Sequence, residues 1–466
     1  MSQITIQQAA GQLNLANSDL LWEVTSVSSS APQFQYTCVL RDGCNNVLTT
    51  IKQQPNPSGK GVFNLGRIIK QYVEPDLYAL DITGTGSIFH KNTNTAEFFK
   101  VAFGEEFGTT TTGSVTSYTG IGNATGSAQF TGSIPFYYIL NGTLDPNYGS
   151  FNWDTSSFFK MEPTPNTGSF SYNVALTDAP REQYVQLTDY ATISLLNGNL
   201  NQSTTLAQDV AYVEYTLYSG ASIVQQSVLD NLDNTNNYLS GGPRTGSIGN
   251  PFPGTINTCT TSSGTQTSGS LLMYVGAGPQ NLTEFNYLTL TGSWDYYTVK
   301  FYPRGTSGPN VSASWDTFTY YNQSANCGYD GVRFAWLNDY GTWDYFNFTL
   351  QEDKTTTLER GLYKQTFVPY NTTTNTVPYN KKRRGTTSYY VNINESFRVF
   401  SDWLTQEQAD WLGELFYSPN VYVQIGLEFI PVILLDTDFV SKTNPRTQKN
   451  FQYIVNYTLA NNKRSR

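Results

Sequence analysis

The strongest constraint on this chain is a period of two. In FQYTCVLRD, Phe34, Tyr36, Cys38 and Leu40 fall on one side while Gln35, Thr37 and Arg41 fall on the other, the pattern of a half-buried strand. Asp42-Gly43 supplies a turn and VLTTIKQ returns, completing a hairpin. The grammar recurs in YVEYTLYSGASIVQQSV (212–228), whose Tyr215-Thr216 echoes Tyr36-Thr37, and DYYTVKFYPRG (295–305) loosely parallels EFFKVAFGEEFG (97–108). These parallels are weak evidence for two related β-domains. Shared strand grammar without duplication is the alternative.

Composition supports strands. Aromatic residues make up 15% of the chain and charged residues only 14%, against about 25% charged in ordinary soluble domains. Aromatic and β-branched side chains suit a pleated surface, and so many large rings need burial, which excludes a disordered chain. The 466 residues allow roughly three domains. The expected fold is mainly β: several β-sandwich-like domains with a small C-terminal α+β module. The divisions are 1–110 for the first sandwich and 111–205 for a Gly/Thr-rich linker with a β-rich insertion. A second sandwich follows over 206–350, with a long surface loop at 236–270, and the α+β module occupies 351–466.

Local signals fill this frame. Asn64 reads as the N-cap of a short helix, LGRIIKQYV, stopped by Pro75, with strands following around 78–83 and 97–103. Near the end, Thr405 and Gln408 form a capping box. Trp411, Leu412, Leu415 and Phe416 make one apolar stripe before Ser418-Pro419. Strands VYVQIGLE, PVILLD and QYIVNYTLA complete the module.

Several chemistries are disfavoured. With 27 basic and 36 acidic residues, net charge −9, no nucleic-acid partner is expected, because backbone binding needs clustered cations. A single histidine, His90, nearly removes triads and multi-histidine metal sites. Four cysteines without a CxxC pair read as idle thiols rather than a disulfide scaffold, although Cys38 and Cys44 flank one turn. Glu105 and Glu106 are adjacent carboxylates; strand neighbours point to opposite faces, so they could share a catalytic site only from a turn, and a solvated turn is the reading preferred over acid–base catalysis. Asp436 and Asp438 read as a strand-end turn rather than a calcium loop. No cofactor and no catalytic residue is expected. The first residues lack the basic and apolar regions of a signal peptide, and Val421–Leu435 is too short and interrupted to span a bilayer, so a soluble protein without membrane insertion is expected.

Two clusters remain as interaction candidates. The hairpin at 333–350 concentrates Trp336, Trp343 and Tyr345, which fit a core, a protein interface or a sugar-stacking platform. Lys381, Lys382, Arg383 and Arg384 form a dense basic run, read first as a solvated loop, with a contact for nucleic acid or for an acidic neighbouring subunit as the alternatives.

Four stretches together carry a resemblance: FFKVAFGEEFG, LTDAPREQYVQLTDYATISLLNG (176–198), RFAWLNDYGTWDYFNF, and DWLTQEQADWLGELFYSPNVYV with PVILLDTDF. The pattern resembles virion proteins of tailed bacteriophages infecting Bacteroidota, of the crAss-like type. The resemblance implies a structural component of the tail hub or tail tip, made in the host cytoplasm and located in the virion. Its partners would be copies of itself and other tail proteins, with a host surface glycan as the partner if it were instead a fibre adhesin. It brings no catalytic residues.

Overall fold

The structure is a computed structural model. It describes residues 4–10, 13–43, 46–83, 88–92, 95–108, 115–121, 137–143, 175–196, 210–230, 258–261, 264–267, 272–290, 294–305, 308–309, 317–323, 331–364, 373–375, 385–436, 452–461 and 464–465. The fold is mainly β. The chain divides into two compact units, one of Met1–Ser324 with Ala335–Tyr345 and the other of Ala325–Phe334 with Phe346–Arg466.

The first unit opens with β1 (Ile4–Gln8), β2 (Leu13–Leu15), β3 (Leu21–Ser26), β4 (Gln35–Asp42), β5 (Val47–Gln53), β6 (Lys60–Asn64) and helix α1 (Gly66–Ile69). Next come β7 (Phe89–Lys91), β8 (Ala96–Gly108), β9 (Val115–Ile121) and β10 (Tyr137–Leu140). One sheet runs β2-β10-β8-β4-β5, with β9 also on β8, and a smaller sheet runs β1-β3-β6. Trp22, Val24 and Phe63 from the small sheet meet Tyr36, Cys38, Leu40, Val101, Phe103 and Ile139 from the large one in a single core. This is a sandwich, built as the alternation of β3 and β4 requires. Polar ring atoms tie its layers together: Trp22 Nε1 donates to Tyr137 Oη at 3.3 Å, and Tyr36 Oη accepts from the Ser26 amide at 3.0 Å. Cys38 is a free, buried thiol; Cys44 lies outside the described residues.

A second sandwich follows in the same unit. Its strands are β11 (Glu182–Val185), β12 (Thr192–Leu196), β13 (Val210–Ser219), β14 (Ser222–Asp230), β17 (Leu272–Gly276), β18 (Tyr296–Gly305) and β20 (Thr317–Asn322). A small hairpin of β15 (Thr258–Thr261) and β16 (Gly264–Thr267) precedes β17; helix α2 (Pro279–Glu284) follows it, and β19 (Gly308–Pro309) follows β18. The large sheet runs β11-β20-β18-β13-β14. Step for step this is the order of the first sheet: a parallel pair at one end, two antiparallel steps, then a hairpin.

The smaller sheets match too, since β3 pairs with β6 ahead of α1, and β12 pairs with β17 ahead of α2. Even single hydrogen bonds repeat. Leu65 N donates to Leu20 O at 2.9 Å and Ala277 N to Ala191 O at 2.8 Å, each just before its helix. The third strand differs. In the first small sheet β1 flanks β3, whereas in the second β7, from the first third of the chain, flanks β17.

The register corrects one detail of the sequence comparison. Leu40 stands opposite Val101, and Tyr215 stands opposite Val299. With Val101 and Val299 matched, Tyr215 corresponds to Leu40 rather than Tyr36, so the Tyr-Thr echo lies four residues out of step. The same face is kept because four is even.

The expected divisions shift accordingly. The first large sheet takes in Tyr137–Leu140, beyond 110, and the second takes in Glu182–Val185, before 206. The loop expected at 236–270 contains the β15–β16 hairpin, its remaining residues lying outside those described. No strand forms at 78–83: Asp76 accepts from the Tyr78 amide at 3.2 Å and starts a 3-10 turn over Leu77–Ala79. Asn64 caps from one position earlier than expected. Leu65 is the N-cap residue, and Asn64 Oδ1 accepts from Gly66 N at 3.2 Å.

The second unit is built on β21 (Val332–Leu337), β22 (Trp343–Phe348), β23 (Gln351–Lys364), β24 (Thr386–Phe400), helices α3 (Gln406–Leu412) and α4 (Glu414–Tyr417), β25 (Val421–Ile425), β26 (Glu428–Leu434), β27 (Ile454–Leu459) and β28 (Arg464–Ser465). Its sheet runs β22-β21-β25-β26-β27-β24-β23, with β28 on β24. The ends of the β21–β22 hairpin belong to this unit and its inner part, Ala335–Tyr345, to the first. The capping box forms as the sequence predicts, with Gln408 N donating to Thr405 Oγ1 at 3.3 Å and Thr405 N to Gln408 Oε1 at 3.0 Å. The helical segment breaks at Gly413 into two pieces. Ala409, Leu412 and Leu415 are fully buried, and Tyr453 Oη donates to Ala409 O at 3.2 Å.

Candidate interaction surfaces

The aromatic hairpin is core. Trp336 and Trp343 are 0% and 1% exposed and Tyr345 is 5% exposed, so these three side chains form no surface for a partner or a sugar. The burial of Trp343 and Tyr345 is tolerated because their polar atoms find partners within the first unit. Trp343 Nε1 donates to Asp76 O at 2.7 Å, and Tyr345 Oη donates to Leu80 O at 3.0 Å and lies 3.0 Å from Thr192 Oγ1. Between them Asp344, also buried, accepts from Thr177 Oγ1 at 2.7 Å. A small cleft lies beside these groups, lined by Thr177, Thr192, Ser194, Trp343, Asp344 and Tyr345. Asn338 closes the hairpin turn by accepting from the amides of Tyr340 and Thr342 at 3.1 and 3.0 Å.

The single histidine joins the same network. His90 Nε2 sits 3.1 Å from Asp76 Oδ2, whose side chain is fully buried. The Asp76 amide donates to Thr95 Oγ1 at 2.9 Å, and Tyr274 Oη donates to that hydroxyl at 3.2 Å. Burial pushes the Tyr274 phenol well above its ordinary value, with the Asp76 charge adding to it. Among the described residues no group of three or more His, Cys, Asp or Glu side chains converges as a metal site would require.

Glu105 and Glu106 lie within β8 rather than in a solvated turn. Glu105 is 1% exposed and accepts a hydrogen bond from Ser26 Oγ, a polar partner that makes a carboxylate tolerable in the sandwich. Glu106 points the other way and pairs with Lys52 at 2.6 Å. The two carboxylates do not share a site. Asp436 accepts from the backbone and side-chain nitrogens of Asn456, both at 2.6 Å, which fixes the end of β26; Asp438 lies outside the described residues. So do Lys381, Lys382, Arg383 and Arg384.

One surface escaped the sequence reading, the ribbon of β23 and β24. All of β23 is exposed except the half-buried Gly361, and Leu358, Leu362, Tyr363 and Tyr389 are exposed apolar or aromatic side chains on it. The Tyr390 ring covers Gly361 so closely that a Cβ there would fall 2.1 Å from it. The signal was present as alternation in VNINESFRVF, but the Thr- and Asn-rich flanks read as loop.

No known protein-family model matches the chain, and no curated protein matches it either. The class defined by the fold is a mainly β protein with a duplicated sandwich order. Among the described residues, no helix is long and apolar enough to cross a membrane.

Proposed function

We propose that this chain is a structural component of a tailed phage virion, in the tail hub or tail tip, working by oligomeric assembly with other tail proteins rather than by catalysis. The family resemblance of the four sequence stretches supplies the setting. The observation that carries the assembly reading is the β23–β24 ribbon: fourteen- and fifteen-residue strands whose apolar side chains Leu358 and Leu362 are 46% and 61% exposed. A ribbon of two strands is marginal alone in water, so a surface of this kind makes physical sense on a protein that works in contact with others. The buried or paired state of Glu105, Glu106, His90 and Asp436 supports the same reading, since each is engaged in holding the fold.

The test is mass spectrometry and antibody labelling of purified particles. The protein is expected at fixed copy number at one end of the tail; its absence from particles would overturn the proposal. A glycan-binding tail-fibre module is the second reading. Trp343, its first candidate, is buried, and its remaining support is the exposed pair Tyr363 and Tyr389, with ring centroids 5.9 Å apart. Binding to host capsular polysaccharide that is lost on Tyr389→Ala would favour it.

A further inference from the structure

Within the first unit, the two sandwiches meet along one row of the first large sheet. Phe98 on β8 and Tyr138 on β10 stand opposite each other, with ring centroids 4.6 Å apart. Both point away from the first core, which takes their neighbours Phe99 and Tyr137, yet both are fully buried. The small sheet of the second sandwich reaches them from that side. Tyr138 Oη accepts from the amide of Leu272, the first residue of β17, at 2.9 Å. Two residues on, Tyr274 Oη donates to Thr95 Oγ1, just ahead of β8, at 3.2 Å. The junction therefore has two halves, an aromatic row on a large sheet and the outer side of a small one.

Each half recurs elsewhere in the unit with its outer side open. With Val101 and Val299 matched, Phe98 corresponds to Tyr296, and Tyr138 to Tyr321, which stands opposite Tyr296. In the second sandwich the row is longer. Tyr184 stands opposite Tyr321, Tyr218 opposite Tyr296 and Ile223 opposite Tyr218. The four tyrosine rings follow one another at 5.5, 5.6 and 4.6 Å, a ladder about 14 Å long at about 4.8 Å per strand. Tyr184 is 57% exposed, and Tyr218, Tyr296 and Tyr321 are partly exposed. The other half lies on the first sandwich. With Leu65 and Ala277 matched by the hydrogen bonds that precede the helices, Val62 on β6 corresponds to Tyr274 on β17. Tyr274 is fully buried, whereas Val62 is 39% exposed. Strand β17 has β7 on its outer side, but β6 ends its sheet, with no strand beyond it among the described residues.

We propose, resting on the assembly reading above, that the ladder of Tyr184, Tyr321, Tyr296 and Tyr218 docks on the β3–β6 face around Val62 of a second copy of this chain. The contact repeats between molecules the junction that joins the two sandwiches within one. Its chemistry fits on both sides. Tyrosine is enriched in interface cores because it brings a large apolar ring with a polar tip. Beside Val62, Glu23 stands opposite it and pairs with Lys60 at 2.6 Å, a polar rim suited to phenol hydroxyls. The two faces differ, so the contact is heterologous and passes from copy to copy, closing into a ring when the rotation allows. The ladder is small beside the roughly 800 Å² that each partner contributes to a standard interface, so free copies are expected to associate weakly, and more as concentration rises.

The test is thiol cross-linking of the full chain with two single variants, Thr319→Cys beside the ladder and Thr25→Cys beside Val62, each alone and mixed in equal amounts. Both positions are partly exposed, and wild-type chain measures the background from the native cysteines. The mixture is expected to give a cross-linked dimer, growing with concentration, that neither variant gives alone. Adding Tyr184→Ser and Tyr321→Ser to the Thr319→Cys chain is expected to abolish that dimer while its circular dichroism spectrum stays unchanged. On the wild type, slowed amide exchange along β6 at high protein concentration is the matching signature, free of any substitution. A mixture that never rises above background, or a dimer that survives loss of the two tyrosines, would overturn the docking while leaving the assembly reading intact. A dimer from Thr319→Cys alone would show ladder meeting ladder and would overturn the contact with Val62. Absence from purified particles would separately overturn the assembly reading.

Discussion

Gly66 and Gly278 hold the same place in the two sandwiches. A Cβ on Gly66 would fall 2.3 Å from Ser18 O, and one on Gly278 would fall 2.5 Å from Asp189 O and 2.3 Å from Ala191 N. Ser18 and Asp189 stand at the same step of the chain, between the parallel strand and the first strand of the small sheet. Each glycine lets a helix start directly on that turn, and backbone cannot retreat as a flexible side chain can. Gly66→Ala and Gly278→Ala are each expected to destabilise the protein by about 1–3 kcal/mol through overpacking. Urea denaturation of both variants checks this; a loss at one site and none at the other would break the equivalence.

Trp343→Ala tests the place of the aromatic hairpin in the core, one of the three readings its sequence allowed. Removing a fully buried tryptophan costs about 3–5 kcal/mol, and Asp76 O loses the indole donor now 2.7 Å away. Trp343→Phe keeps most of the ring and removes the donor, so a smaller loss of about 1–3 kcal/mol is expected. Thermal melts of the two variants should rank them in that order.

The alternation that announced β4, β13 and the C-terminal strands was legible because a period of two is local. A core was the default reading of Trp343 and Tyr345, but their partners were not legible, since the carbonyls that accept from them lie 267 and 265 positions away. The β7 exchange was hidden for a different reason. Phe89–Lys91 is three residues long, too short to show any period, and its partner Val275 lies almost two hundred residues on. The ribbon was missed because exposed Thr and Asn in a strand have the composition of a loop.

Alkaline pH should unfold this protein through its tyrosines. Burial pushes the phenols of Tyr190, Tyr215, Tyr274 and Tyr457 well above the ordinary value, and burial together with the Glu214 charge pushes Tyr302 up to about 12. A raised folded-state pKa means that the folded form keeps protons the unfolded form releases. Stability is therefore unaffected by these groups below about pH 10, the unfolded value, and falls as pH rises from there towards the folded values. Denaturant melts across that window, followed by tyrosinate absorbance, should show ionisation coinciding with unfolding. Tyrosines that ionise freely while the fold persists would contradict their burial.

Thr405→Ala isolates the capping box. Thr405 Oγ1 is the acceptor for Gln408 N, and the helix it starts is only seven residues long, so local propensity alone does not sustain it. Loss of such a cap costs about 1 kcal/mol. Because Ala409, Leu412 and Leu415 on this helical pair are fully buried and Tyr453 on the sheet side bonds to Ala409 O, fraying should spread into the second unit's core. The variant is expected to lower that unit's unfolding midpoint while Thr405→Ser, which keeps the hydroxyl, leaves it nearly unchanged. Equal losses from both variants would show that the methyl group, rather than the hydrogen bond, sets the helix start.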